Sequence, residues 1–82
     1  IRLIMLLPGE WSDEIHCQLF YQSLRNKPSY QALSYAWGSQ NVTRPIRLDG
    51  DVHAITFNLE SALRRLRRQR EIIVLWVDAL CI

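Results

Sequence analysis

Apolar and polar positions along the chain fall into short, sharply bounded blocks. Residues 3–7 form an uninterrupted apolar run closed by the turn pair Pro8-Gly9, which predicts a buried strand. Over residues 15–21 the pattern alternates, with Ile15, Cys17, Leu19 and Tyr21 on one face and His16 and Gln18 on the other. Such alternation predicts a half-buried antiparallel strand. Lys27-Pro28-Ser29 breaks the chain before a third predicted strand, 32–37, in which Leu33, Tyr35 and Trp37 share one face and small Ala32, Ser34 and Ala36 the other. Small residues on that face leave room for a helix to pack close.

Ile46 and Leu48, then Asp49-Gly50, then Val52 and Ala54 predict a hairpin, because Asp-Gly takes the positive φ values of a tight, strand-matching turn. A helix over 59–69 follows. Asn58 is its expected N-cap, and Glu60 sits in the first turn where the helix dipole favours an anion. Leu59, Ala62, Leu63 and Leu66 recur at i, i+3, i+4 and i+7, one apolar stripe with the arginines facing away. Residues 72–77 are all apolar and rich in β-branching, the pattern of a strand covered on both faces. Strand 32–37, helix 59–69 and strand 72–77 therefore compose a β-α-β unit with a hairpin in its crossover. The first two strands add a small antiparallel element.

Composition narrows the function classes. At 82 residues the chain is one domain at most, and a chain of this size buries only about 60–65% of the surface its unfolded form exposes, so marginal stability is expected. It starts at Ile1 and stops at Ile82 as an apolar strand finishes, which predicts that residues 1–82 are a single domain truncated on its C-terminal side. A net charge of +2 is too small to imply a polyanionic partner. The basic residues are uneven, however: Arg64, Arg65, Arg67, Arg68 and Arg70 supply half of the 10 lysines and arginines. They either bind phosphates or an acidic surface, or form the solvated face of a helix with one buried stripe, and the second reading is favoured. Nucleic-acid binding lacks the interleaved aromatics that would support it. Cys17 and Cys81 are few and far apart, as in a reduced intracellular protein. No apolar run approaches the roughly 20 residues of a membrane span, His and Cys lack zinc-ligand spacing, and no Gly-rich phosphate loop or nucleophile elbow is present.

In open α/β sheets ligands meet the chain beyond the carboxyl ends of the strands, which directs attention to Ser34, Tyr35, Trp37, Gly38 and Asp78. Asp78 either contacts a hydroxyl-bearing ligand there or satisfies local backbone N–H groups. Trp37-Gly38 offers either a stacking surface beside an approachable backbone or a core indole and a turn glycine. Ser34 and Tyr35 can contribute hydroxyls, although mid-strand side chains of these types more often pack. Trp76 reads as core.

Three segments carry a family resemblance: Tyr30-Gln31-Ala32-Leu33-Ser34-Tyr35-Ala36-Trp37-Gly38, the Asn58-Leu59 helix start with Ala62-Leu63, and Leu75-Trp76-Val77-Asp78-Ala79-Leu80-Cys81-Ile82. Together they closely resemble the heterokaryon incompatibility (HET) domain of filamentous fungi, and Ile1-Arg2-Leu3 through Pro8-Gly9 fits the same family's opening segment. The resemblance covers nearly the whole chain, in order. It implies an α/β fold with a partial TIR/flavodoxin-like β-α-β core, an inserted β-hairpin and an added N-terminal antiparallel strand pair. It also implies a part in fungal non-self recognition ending in regulated cell death, and protein partners met by homotypic or heterotypic assembly; the cysteine usage adds the expectation of an intracellular, cytoplasmic setting. TIR-like relatives cleave NAD with a glutamate, so NAD is an implied substrate of the complete domain, with Ser34, Tyr35, Trp37, Gly38 and Asp78 lining its cleft. The family's closing motif continues into a glutamate-bearing stretch beyond Ile82. Glu10, Glu14, Glu60 and Glu71 match no catalytic position of the family, so the 82-residue chain is expected to be inactive by itself.

Overall fold

The structure, a computed structural model, describes residues 1–36 and 38–82. Strands β1 (Arg2–Leu6), β2 (His16–Tyr21), β3 (Gln31–Ala32), β4 (Thr43–Leu48), β5 (Asp51–Thr56) and β6 (Ile73–Trp76) form one six-stranded sheet in the order β3-β6-β1-β2-β4-β5. Helix α1 (Phe57–Leu66) follows β5 directly, and a single helical turn, α2 (Asp78–Cys81), follows β6. The sheet is mixed: β1–β2, β1–β6 and β4–β5 are antiparallel, whereas β2–β4 and β3–β6 are parallel.

The β-α-β unit is present, because β3 and β6 are parallel neighbours and the chain between them passes through the hairpin and α1. Two features of the sheet differ from the sequence expectation. The antiparallel pair β1–β2 is no added element but the centre of the sheet, with β6 and β3 on one side and the hairpin on the other. The third strand is also much shorter than 32–37. Its pairing stops at Ala32, opposite Trp76, after which Leu33 N–H donates to Trp76 O at 2.9 Å. Beyond Trp76 the partner turns away into α2, so residues 33–36 have no strand beside them. Trp37 lies outside the described residues.

The Asp49-Gly50 turn forms as expected. Asp49 has φ 53° and Gly50 φ 87°, the two positive values a tight hairpin turn requires. Asp49 also caps the neighbouring strand: its Oδ1 accepts from Leu19 N–H at 2.9 Å and its own N–H donates to Cys17 O at 3.0 Å.

Helix α1 starts two residues earlier than the periodicity suggests and ends at Leu66 rather than residue 69. Its N-cap is Thr56, whose Oγ1 accepts from Leu59 N–H at 3.2 Å, and not Asn58. Leu59 and Leu63 point into the core with Ile4, Leu6, Ile15, Cys17, Ile46, Ile55 and Leu75, joined by Val77, Leu80 and Cys81 from the end of the chain. Alternation along β1 puts Ile4 and Leu6 on this helix-covered face and Leu3 and Met5 on the other, so the two α-helices share one side of the sheet. In β6, Leu75 is buried while Ile73, Val74 and Trp76 are half-buried, short of the full two-sided cover expected from an all-apolar run.

Candidate functional site

Residues 33–36 leave the sheet edge as an extended wall held by side chains from both helices. The Tyr35 hydroxyl donates to Asp78 Oδ1 at 3.3 Å. Asp78 opens α2, and the same Oδ1 accepts from Ala79 N–H at 2.7 Å. The carboxylate therefore serves the local backbone and faces the wall at once. On the α1 side, Asn58 Nδ2 donates to Ala36 O at 3.0 Å. Gly38 closes the wall with φ +64°, and a Cβ there would lie 2.5 Å from Asn58 Nδ2. Both the backbone angle and the close amide demand glycine.

Openings flank this wall. Leu33, Ser34, Tyr35, Trp76 and Asp78 line a cleft of about 250 Å³ beyond the ends of β3 and β6. Between the wall and α1 lies a groove of about 420 Å³, with Ser34, Tyr35, Asn58 and Arg65 among its lining. The small face Ala32, Ser34 and Ala36 is exposed and borders this groove at Ser34 and Ala36, where close helix packing was expected. Ser34, Tyr35 and Asp78 thus come together, Gly38 sits at the wall's end, and Trp37 lies outside the described residues. Trp76 is half-buried against the core and also lines the cleft.

Burial is the main force pushing the Tyr35 phenol above its ordinary pKa, followed by the Asp78 charge and the hydrogen bond the phenol donates to it. The hydroxyl consequently remains a proton donor across the neutral range. Cys17 is pushed up to about 12, chiefly by burial, with Cys81 and Asp49 adding to it. Cys81 moves in the same direction by burial. Both thiols are buried, unpaired and held in the protonated, unreactive form. Among the described residues no group of three or more His, Cys, Asp or Glu side chains is arranged to hold a metal ion.

The arginine cluster divides in a way that the favoured solvated-face reading did not foresee. Arg67 donates from Nη1 to Asp13 O at 3.1 Å and Glu14 O at 2.9 Å, and from Nη2 to Trp11 O at 3.1 Å and to Glu10 O. Arg64 donates from Nη1 to Asp13 O at 2.9 Å and to Trp11 O, while its Nε meets buried Glu60 at 2.9 Å. These two side chains clamp the β1–β2 connection onto α1. Burial, then the neighbouring Arg64 charge, lowers the Arg67 pKa. Arg65, Arg68 and Arg70 stay exposed. Spacing did not separate the two groups, since Arg64 has Arg67 at i+3 and Arg68 at i+4; the division follows from α1 ending at Leu66 and from the β1–β2 connection packing against it. Locally Asn58 reads as a cap; its role in holding the wall depends on a contact 22 positions away that has no local signal.

Comparison with known proteins supports the family resemblance. The family model described as heterokaryon incompatibility protein (HET) matches residues 30–82, which include the wall, α1, β6 and Asp78. Heterokaryon incompatibility protein 6, OR allele, of Neurospora crassa is 34% identical over 96 aligned residues. That alignment covers 100% of this chain, which spans only 14% of the relative's length. No solved structure matches. The agreement of the family model over most of the chain with a relative aligned along all of it shows that the chain belongs to the heterokaryon incompatibility (HET) family.

Proposed function

We propose that this chain acts in fungal non-self recognition, as the HET part of a protein that triggers regulated cell death when incompatible individuals fuse. The observation that carries this reading is the likeness to the Neurospora protein along the whole chain, β1 and β2 included. Its partners are other proteins, met by homotypic or heterotypic assembly, and it works inside the cell. The parallel β3–β6 pair joined through α1 is compatible with a TIR-like β-α-β core, although the sheet around it is mixed. The test is induced expression of the full-length protein in a filamentous fungus, scored by vital-dye uptake. Dye-positive compartments are expected with the wild-type protein and far fewer with Tyr35→Phe or Asp78→Asn at equal protein level. Dye uptake no higher than in an uninduced strain would remove the reading.

The cleft beside Asp78 favours a second reading, in which the complete domain cleaves NAD at the nicotinamide–ribose bond. Ser34, Tyr35, Gly38 and Asp78 would line the site, and a glutamate supplied from beyond Ile82 would act on the ribose. Tyr35 and Asp78 bring a protonated hydroxyl and a carboxylate to one small opening, suited to ribose hydroxyls. Nicotinamide release by assembled full-length protein, lost in Asp78→Asn, is the expected result. Cell death without NAD loss would separate the two readings. A basic-helix docking role for all five arginines has less support, because Arg64 and Arg67 are occupied by loop carbonyls.

A further inference from the structure

The arginine face and the groove beside α1 meet at one residue. Arg65 lines the groove, and its Nε donates weakly to Ser61 O at 3.4 Å on its own helix. Among the described residues no carboxylate lies within ion-pair distance of Arg65 and its terminal amino groups donate to no protein acceptor. Its neighbour Arg64, by contrast, is bonded to Glu60 and to two loop carbonyls. Ser34, on the opposite wall, makes no side-chain hydrogen bond among the described residues, and Asn58 uses one Nδ2 hydrogen on Ala36 O and keeps the other. Leu33, Ala62 and Leu66 supply an apolar lining.

We propose that the groove between residues 33–36 and α1 binds a small phosphate-bearing ligand of nucleotide size, with Arg65 as its anion contact. A guanidinium that keeps its planar fork free of carboxylates is the side chain best matched to phosphate. Asn58 adds a neutral donor on the α1 side and Ser34 one on the facing wall. Donors on both walls suit a tetrahedral oxyanion, which has three acceptor oxygens, better than a planar carboxylate, which has two. The volume of about 420 Å³ falls inside the roughly 300–1,000 Å³ range of small-molecule pockets, and the apolar lining suits a base or sugar face. Arg68, two residues past the end of α1, has no ion-pair partner among the described residues and adds positive potential without lining the groove. The groove lies across the wall from the Tyr35–Asp78 cleft and its occupancy does not require NAD cleavage.

Titration calorimetry of the full chain with AMP, adenosine and inorganic phosphate tests the assignment. AMP should bind about tenfold or more tightly than adenosine, because the charge-assisted contact belongs to the phosphate. Inorganic phosphate should compete with AMP. Arg65→Gln, shown to be folded by circular dichroism, should reduce AMP to the adenosine level, while Arg68→Gln should leave it within about twofold. The proposal is overturned if AMP gives no heat up to millimolar concentration, if adenosine matches AMP, or if Arg65→Gln binds AMP as the wild type does. Equal losses in the two arginine variants would also overturn it, since they would mark a diffuse field instead of a site.

Discussion

Replacing Arg67 by lysine keeps the positive charge and removes the planar fork that grips the β1–β2 connection. Arg67 meets the carbonyls of Glu10, Trp11, Asp13 and Glu14, a set that one ammonium on a flexible stem cannot span. A hydrogen bond involving a charged group contributes about 1.5–3 kcal/mol where it is well shielded, but these carbonyls are exposed and water replaces much of the loss. Gly9 N–H to Arg68 O at 3.0 Å and Gln69 Nε2 to Glu10 Oε2 at 3.0 Å also remain to hold the loop. A net loss of about 2 kcal/mol follows, equivalent to a fall in Tm of about 8–16 °C for a domain of this size. Urea unfolding and thermal melts of Arg67→Lys, beside the exposed Arg68→Lys, provide the measurement; the control should stay within about 0.5 kcal/mol of wild type. Arg64 shares the Asp13 and Trp11 carbonyls, so Arg64→Lys combined with Arg67→Lys should depart from additivity. A melting temperature for Arg67→Lys within about 2 °C of wild type would refute the clamp as a source of stability.

Gly38→Ala should lose about 2 kcal/mol, roughly half from the left-handed backbone and half from driving Asn58 off Ala36 O. In an Asn58→Ala background the same substitution should lose only about 1 kcal/mol, and an undiminished loss in denaturant titrations would contradict the geometry. Cys17 makes alkaline stability titratable: the unfolded thiol ionises first while the folded one, at about 12, stays protonated. Stability from this group is therefore complete below the ordinary thiol range and declines as pH rises toward 12, by on the order of 1 kcal/mol near pH ~10. Cys17→Ala should flatten that alkaline limb; a wild-type minus variant difference that is constant with pH would rule the linkage out.

Legibility of the fold followed the range of the interactions involved. The hairpin could be read from two residues because Asp49 and Gly50 encode their own positive φ values. The strands around Leu3 and Leu75 could be read from uninterrupted apolar runs, and that around Cys17 from alternation. The start of α1 is ambiguous in the sequence because Thr56 and Asn58 are both good capping types. β5 runs straight into the helix at Thr56, which frees Asn58 for Ala36. The central position of β1–β2 had no local signature, because strand order is decided by pairing between distant segments. Of the candidate site, the clustering of Ser34, Tyr35 and Asp78 was legible from the rule about strand ends. The groove with Arg65 was not, since it exists only because β3 stops early.

That early stop decides how the site can behave. A strand carried through residue 36 would have fixed the wall by ladder hydrogen bonds on one side and tied its motion to the whole sheet. Here β6 bends into α2 after Trp76, and beyond the Leu33 N–H bond to Trp76 O the wall is held by side-chain bonds from Asn58 in α1 and to Asp78 in α2, at 3.0 and 3.3 Å. Each of these side-chain bonds contributes about 1 kcal/mol net, and local opening of residues 33–36 would break them together with the packing of Leu33 and Tyr35 against the core. Tyr35 lines both openings beside the wall. A ligand that draws the wall toward Arg65 must therefore lengthen or shorten the Tyr35–Asp78 contact on the other side. The two openings share Leu33, Ser34 and Tyr35, and any free energy of binding in one acts on the geometry of the other.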